Sequence, residues 1–221
     1  MPSFCVMTFW GIGGIYIQFN MEEETYLAIY YDDFNQKIKT SINEVKDWLD
    51  NNNKEDLSNF IYHRLHSRYL KPFQYSSCEC EDCFKNGFSM LANYCLLIEA
   101  IQSFKKGLED SKGKGKKLFI KFFKEEDKYF PALKNLGDKF YEDVRCGILH
   151  QGETLHGWKV TREETKPLFD ISTKTINATK FGEQMEMVLK NYKQELEESD
   201  INSLTWKYCK KKLNHVINNC K

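Results

Sequence analysis

From Tyr26 onward, apolar residues recur at steps of three and four almost everywhere, and glycine and proline fall mostly between the periodic runs. That spacing puts one apolar face on an α-helix. Leu27, Tyr30, Tyr31, Phe34, Ile38, Ile42, Val45, Trp48 and Leu49 predict a first helix, ending in the polar Asp50-Asn51-Asn52-Asn53. Leu57, Phe60, Ile61, Leu65, Tyr69 and Leu70 predict a second, closed by Pro72, which cannot continue a helix. A cysteine-rich connector over 76–85 leads into 88–108, apolar nearly all round and therefore expected at the centre of a bundle. Lys112-Gly113-Lys114-Gly115-Lys116-Lys117 reads as a flexible basic loop, 118–129 as a short aromatic helix, and 138–151 as a helix stopped by Gly152. Residues 158–162 and 168–171 alternate around a turn holding Pro167, which predicts a small β-hairpin near 157–172. Helices over 177–198 and 203–218 complete the chain. The expected fold class is all-α, a helical bundle over 26–221 with a small β-hairpin insertion, preceded by a distinct apolar segment, 1–25.

Composition narrows the function classes. With 221 residues, 41% hydrophobic and 14% aromatic, the chain can bury a sizeable core, which argues against disorder. Its 32 basic and 32 acidic residues cancel, so contact with nucleic acid or an anionic membrane has to come from a local patch. Eight cysteines, irregularly spaced and several inside apolar helical runs, do not make a secreted disulfide framework, and a reducing, cytoplasmic compartment is expected. The first 21 residues carry no charge, but the stretch lacks a basic flank, is interrupted by Gly11, Gly13 and Gly14, and falls short of the roughly 20 apolar residues of a membrane span. It reads either as a strand-like extension packed on the domain or as sequence ahead of a true start at Met21. No internal repeat and no glycine-rich phosphate loop after a predicted strand appear, and no cofactor is expected.

The densest run of reactive types is Tyr141-Glu142-Asp143-Val144-Arg145-Cys146-Gly147-Ile148-Leu149-His150-Gln151-Gly152-Glu153. Five steps on a regular helix leave Arg145 and His150 about 140° apart, so they converge only if the arginine reaches round or the helix is distorted. Gly147 eases either, since it presents no side chain to a neighbour. Glu99 stands alone in an apolar helix, where a carboxylate needs a cation or a backbone donor, and Arg145 is its obvious partner. The plainer alternative is that Arg145 and His150 cap carbonyls and pair with Glu142 or Glu153. Cys146 reads as a reactive thiolate beside Arg145 or as a buried inert thiol. Gln151, Glu153 and His156 could line the same cleft. Cys78, Cys80 and Cys83, completed by His63, His66 or Cys95, are candidate zinc ligands, with an acidic loop of unpaired thiols as the alternative. Lys114, Lys116 and Lys117, within a wider group of lysines from Lys105 to Lys124, could attract an RNA backbone or form a solvated loop. Lys207, Lys210, Lys211 and Lys212, interleaved with Trp206 and Tyr208, read as a face of an amphipathic helix, with an RNA platform as the alternative.

Arg145-Cys-Gly-Ile-Leu-His150, preceded by Phe140-Tyr141 and by an apolar helix ending in Leu-Leu-Ile-Glu99, resembles the R-x4-H motif of the HEPN superfamily, in its prokaryotic defence and toxin-type members. The resemblance covers residues 26–218. It implies an up-and-down helical bundle, frequent homodimers that bring two motifs together, and in many members a metal-independent endoribonuclease. It also implies RNA as substrate, a cognate antitoxin or defence partner, and Arg145 and His150 as the catalytic pair. A module that binds RNA, a nucleotide or a protein without cutting is the alternative. Where the nuclease members commonly carry a polar residue such as Asn or Asp after the arginine, this chain has Cys146.

Overall fold

The computed structural model describes residues 24–32, 34–74 and 86–220. Residues 1–23 of the apolar segment 1–25 and the thiols Cys78, Cys80 and Cys83 lie outside the described residues.

The chain is mostly helical, as the apolar spacing predicts, with small sheets added. The first expected helix is a correction. Residues 26–41 form an antiparallel hairpin, β1 (Tyr26–Tyr31) and β2 (Lys37–Ser41), and α1 (Ile42–Asp50) begins only after it. The turn explains why. The Asp32 carboxylate accepts the backbone N–H groups of Phe34 (3.0 Å) and Gln36 (2.8 Å), and Asn35 takes the left-handed conformation (φ 58°) that Asn tolerates. Ser41 then starts α1 with a reciprocal capping box to Glu44.

α2 (Lys54–Tyr69) is capped by Asn53 and ends before a 3₁₀ turn holding Pro72. α3 (Gly87–Lys106) packs against α2, against α4 (Gly115–Glu125), and against the two long C-terminal helices α7 (Ala178–Glu198) and α8 (Leu204–Asn218). It is the central helix that its all-round apolar sequence predicts. Asn177 and Ser203 cap α7 and α8 through their side chains. α4 starts earlier than expected, so the basic stretch divides, with Lys112 and Lys114 in a turn and Lys116 and Lys117 on the first helical turn.

Under α3 lies an aromatic cluster of Phe119, Phe122, Phe123, Phe130, Phe140 and Phe181, all fully buried. Phe123 meets Phe140 edge-on at 4.9 Å between ring centroids, and Phe130 lies 4.8 Å from Phe181. Each such side chain contributes about 1.5–3 kcal/mol by burial, with a further increment from ring geometry. The cluster anchors the start of the helical run that carries Arg145.

That run is in three contiguous pieces: α5 (Gly137–Lys139), a π-helical stretch (Phe140–Cys146), and α6 (Gly147–Gln151). It ends at Gly152, with φ 75°, the left-handed position that glycine takes most easily.

The expected hairpin near 157–172 is corrected in its pairing. Among the described residues, β3 (Lys159–Thr161) and β4 (Phe169–Asp170) do not pair with each other. A third strand, β5 (Thr175–Asn177), lies between them, parallel to β3 and antiparallel to β4. Asp170 makes the β4–β5 turn by accepting from the Ser172 hydroxyl (2.6 Å) and backbone N–H (2.9 Å). No helix among the described residues is long and apolar enough to cross a membrane.

Candidate functional site

Arg145 and His150 converge. Arg145 Nη1 lies 3.4 Å from His150 Nε2, on a helix whose regular geometry would hold them apart. The distortion has a local cause. In an α-helix the Asp143 carbonyl would accept from the N–H of Gly147. Here it accepts the backbone N–H of Leu155 at 2.8 Å, from the loop that returns after Gly152, while Gly147 N–H turns to Val144 O. A competing donor thus opens the ladder, a recognised origin of π-type turns. Gly147 permits the approach. A Cβ there would stand 2.4 Å from the Glu153 carbonyl oxygen, so the neighbour admitted is this loop rather than a second helix.

Glu99 meets its predicted partner. Its carboxylate accepts from Arg145 Nε at 2.8 Å through one oxygen and from the Ser111 hydroxyl at 2.6 Å through the other. Both charged side chains are largely withdrawn from water, at 17% and 11% exposure. Burial alone would draw the Arg145 guanidinium down, but Glu99 outweighs it together with Tyr141 and Cys146, and its pKa stands above the ordinary value. The guanidinium also lies 5.5 Å from the centre of the Tyr141 ring. Burial and the nearby Cys146 push the Tyr141 hydroxyl upward. Cys146 is a half-buried free thiol. The result is a guanidinium fixed on one edge by a carboxylate and on one face by a ring, with its terminal nitrogens turned toward an exposed imidazole.

Other expected residues separate from this group. Gln151 and Glu153 are exposed, and no side-chain hydrogen bond joins either to the pair among the described residues. Glu142 pairs with Lys116 at 2.5 Å and lies 3.7 Å from Lys139, rather than pairing with Arg145. Lys116 is thereby committed to a carboxylate, which raises its pKa. Lys105 pairs with Glu126 at 2.8 Å, and Lys106 and Lys121 both approach Glu125, so much of the apparent basic region is neutralised. Lys114 and Lys117 remain exposed and make no ion pair among the described residues.

His156 belongs to a second arrangement. Its Nδ1 lies 2.7 Å from Asp143, a buried carboxylate that also accepts from Trp158 Nε1 at 3.0 Å. Ser111 carries no mark in the sequence, since it sits in a run of ordinary polar positions, and Asp143, although inside the run of reactive types, has nothing local that singles it out as the partner of His156 and Trp158. No group of three or more His, Cys, Asp or Glu that could hold a metal ion occurs among the described residues. His63 and His66 stack on aromatics, His63 against Tyr30 at 4.2 Å and His66 against Tyr62 at 5.4 Å. Cys95 is fully buried, and burial raises its pKa far beyond the ordinary thiol range, which makes it a small hydrophobe.

The fold and the pair together define a mostly helical domain presenting an arginine–histidine couple at the end of a distorted helix. Comparison with family models, with curated proteins and with solved structures finds no match for this chain.

Proposed function

We propose that the chain is a HEPN-type endoribonuclease that cuts RNA without a metal ion, with Arg145 and His150 as its working pair. The observation that carries this reading is the 3.4 Å approach of the two side chains at an exposed helix end, with Arg145 oriented from behind by Glu99. Cleavage requires the ribose 2′-hydroxyl to lose its proton as its oxygen bonds to phosphorus. The bond from phosphorus to the 5′-oxygen breaks, and that oxygen gains a proton. His150 serves one of these transfers, worth about 10² to 10⁴-fold, and Arg145 holds the phosphate oxygens as charge builds on them. The products are a 2′,3′-cyclic phosphate and a 5′-hydroxyl.

One imidazole does not easily perform both transfers at once. A homodimer with two such pairs across a two-fold axis supplies the second, and this belongs to the proposal, as do a cytoplasmic setting and an antitoxin or defence partner. Purified chain incubated with mixed single-stranded RNA and EDTA tests the reading, beside a His150→Ala variant. Cleavage that resists EDTA, leaves cyclic phosphate ends and disappears in the variant is the expected outcome. RNA retained but uncut would replace the nuclease with a binding module. A variant that only melts earlier would reduce the pair to a helix cap.

A further inference from the structure

A cavity of about 310 Å³ opens between α2, α3, α8 and the loop ahead of α4. Three cations line it: Arg64 and Arg68 from α2, and Lys212 from α8. Arg64 is only 8% exposed, yet neither it nor Arg68 meets a carboxylate among the described residues. Both guanidinium groups donate to a single neutral acceptor, the carbonyl oxygen of Leu27, Arg68 Nη2 at 3.0 Å. Lys212 Nζ likewise donates to a backbone carbonyl, that of Glu109, at 2.7 Å. Of the two carboxylates in the wall, Glu99 is already committed to Arg145 and Ser111, which leaves Asp110 against three positive groups.

Such crowding is costly without an anion. Two guanidinium groups sharing one carbonyl oxygen repel each other, and a buried charge without a counter-charge is strongly unfavourable. Burial and the adjacent Arg68 push the Arg64 guanidinium down to about 10, and burial lowers Lys212 as well. The wall also carries the apolar side chains of Tyr69, Val216 and Leu96, the last 39% exposed on a mostly buried helix. The volume is that of a small ligand site.

We propose that this cavity binds a small phosphomonoester, its phosphate held by Arg64, Arg68 and Lys212 and its organic part laid against Tyr69, Leu96 and Val216. A phosphate dianion matches the excess of positive charge, and arginine forks suit its oxygens. The cations involved are not those of the Arg145–His150 pair, so the site stands whether or not that pair cuts RNA. Two sources share this chemistry, a free mononucleotide and the 5′-phosphate of an RNA strand.

Titration calorimetry in phosphate-free buffer tests the site with inorganic phosphate, uridine 5′-monophosphate and uridine. A 5′-phosphorylated and a 5′-hydroxyl oligoribonucleotide are added to His150→Ala protein, so that the strands stay whole. The monophosphate is expected to bind saturably and at least about tenfold more tightly than uridine. Arg68→Gln and Lys212→Met, both at positions less buried than Arg64, are each expected to weaken it about tenfold with the melting temperature unchanged. Binding of the phosphorylated strand and not the hydroxyl strand would make an RNA end an occupant. Binding of the mononucleotide alone would make the occupant free. Absence of saturable binding by every phosphorylated probe, or binding indifferent to both variants, overturns the proposal.

Discussion

Arg145 and Arg64 are the same residue type, both largely withdrawn from water and both close to the α3 wall that carries Glu99, yet their surroundings differ in one respect. Arg145 has a carboxylate at 2.8 Å and Arg64 has a carbonyl oxygen. Accordingly, the pKa of Arg145 is raised despite burial, whereas that of Arg64 falls to about 10 under burial and the repulsion of Arg68. A guanidinium with a built-in carboxylate is oriented, and it can present its remaining nitrogens to something else. One without a carboxylate is a charge that the fold has enclosed but not answered. The first arrangement suits a residue that acts, the second a residue that holds an anion.

The largest effect expected from breaking this contrast is catalytic. Arg145→Ala or His150→Ala should lower the initial rate of RNA cleavage by about 10² to 10⁴-fold. His150 is exposed, so its variant should unfold at the wild-type urea midpoint. Glu99→Ala would turn Arg145 into a second Arg64. It leaves an enclosed guanidinium unpaired and the Ser111 hydroxyl without its acceptor, and should cost about 3–5 kcal/mol in urea unfolding. Glu99→Gln, whose amide oxygen still accepts one of these bonds, should lose distinctly less. If the two variants unfold alike, the retained hydrogen bond contributes nothing and the whole loss is that of the carboxylate charge.

The same distinction between an answered and an unanswered group can be read at Asp143. Asp143→Ala would leave the buried Trp158 N–H without an acceptor and should cost about 1–3 kcal/mol. His156→Ala, which removes one partner of the buried Asp143 carboxylate but leaves the Trp158 N–H, should cost less than Asp143→Ala, about 1 kcal/mol in urea unfolding. Arg64→Met should have a smaller effect than its burial suggests, within about 1 kcal/mol in phosphate-free buffer. Lost packing is offset by removal of an unpaired charge, and Arg68 still satisfies the Leu27 carbonyl. A loss as large as that of Glu99→Ala would mean that the charge of Arg64 is answered after all.

Much of this was legible in the chain. Glu99 was legible because a lone carboxylate in an apolar run requires a partner, and the partner chosen for it, Arg145, is the one it meets. Arg64 carries the same signal unread: it falls on the apolar face set by Leu57, Phe60 and Ile61, three to seven residues earlier, where a cation is as conspicuous as Glu99. The caps Asn177, Ser203 and Gly152 mark helix ends by local chemistry alone, and the structure puts them there. The hairpin at 26–41 imitates a helix in its spacing, because Leu27, Tyr30, Tyr31, Phe34 and Ile38 fall at helical steps. The Asp32–Asn35 turn and the β-branched Ile38 and Thr40 were the better guides. The middle position of β5 and the loop that takes the Asp143 carbonyl both depend on pairings between segments, which no local period encodes.

The smallest effect concerns a third basic group on α2. His66 stacks on Tyr62 and faces Glu186, Lys71 and Lys190, and burial, more than these charges, lowers its pKa below the ordinary 6.5. Like Arg64, it is a base that the fold keeps from water without a full answer to its charge. The sign follows from proton binding. Below pH 6.5 the unfolded chain takes up this proton more readily than the folded one, so stability contributed by neutral His66 is present above that pH and is lost on acidification. Stability of the wild type and of His66→Gln, measured by urea unfolding from pH 8 to 5, should therefore run parallel down to about pH 6.5. Below it the curves should draw apart by a few tenths of a kcal/mol, with the variant losing less, the size being limited by partial solvent access. Parallel curves throughout would show that Glu186 fully compensates the imidazolium, and that the unanswered charge on α2 is confined to the arginines.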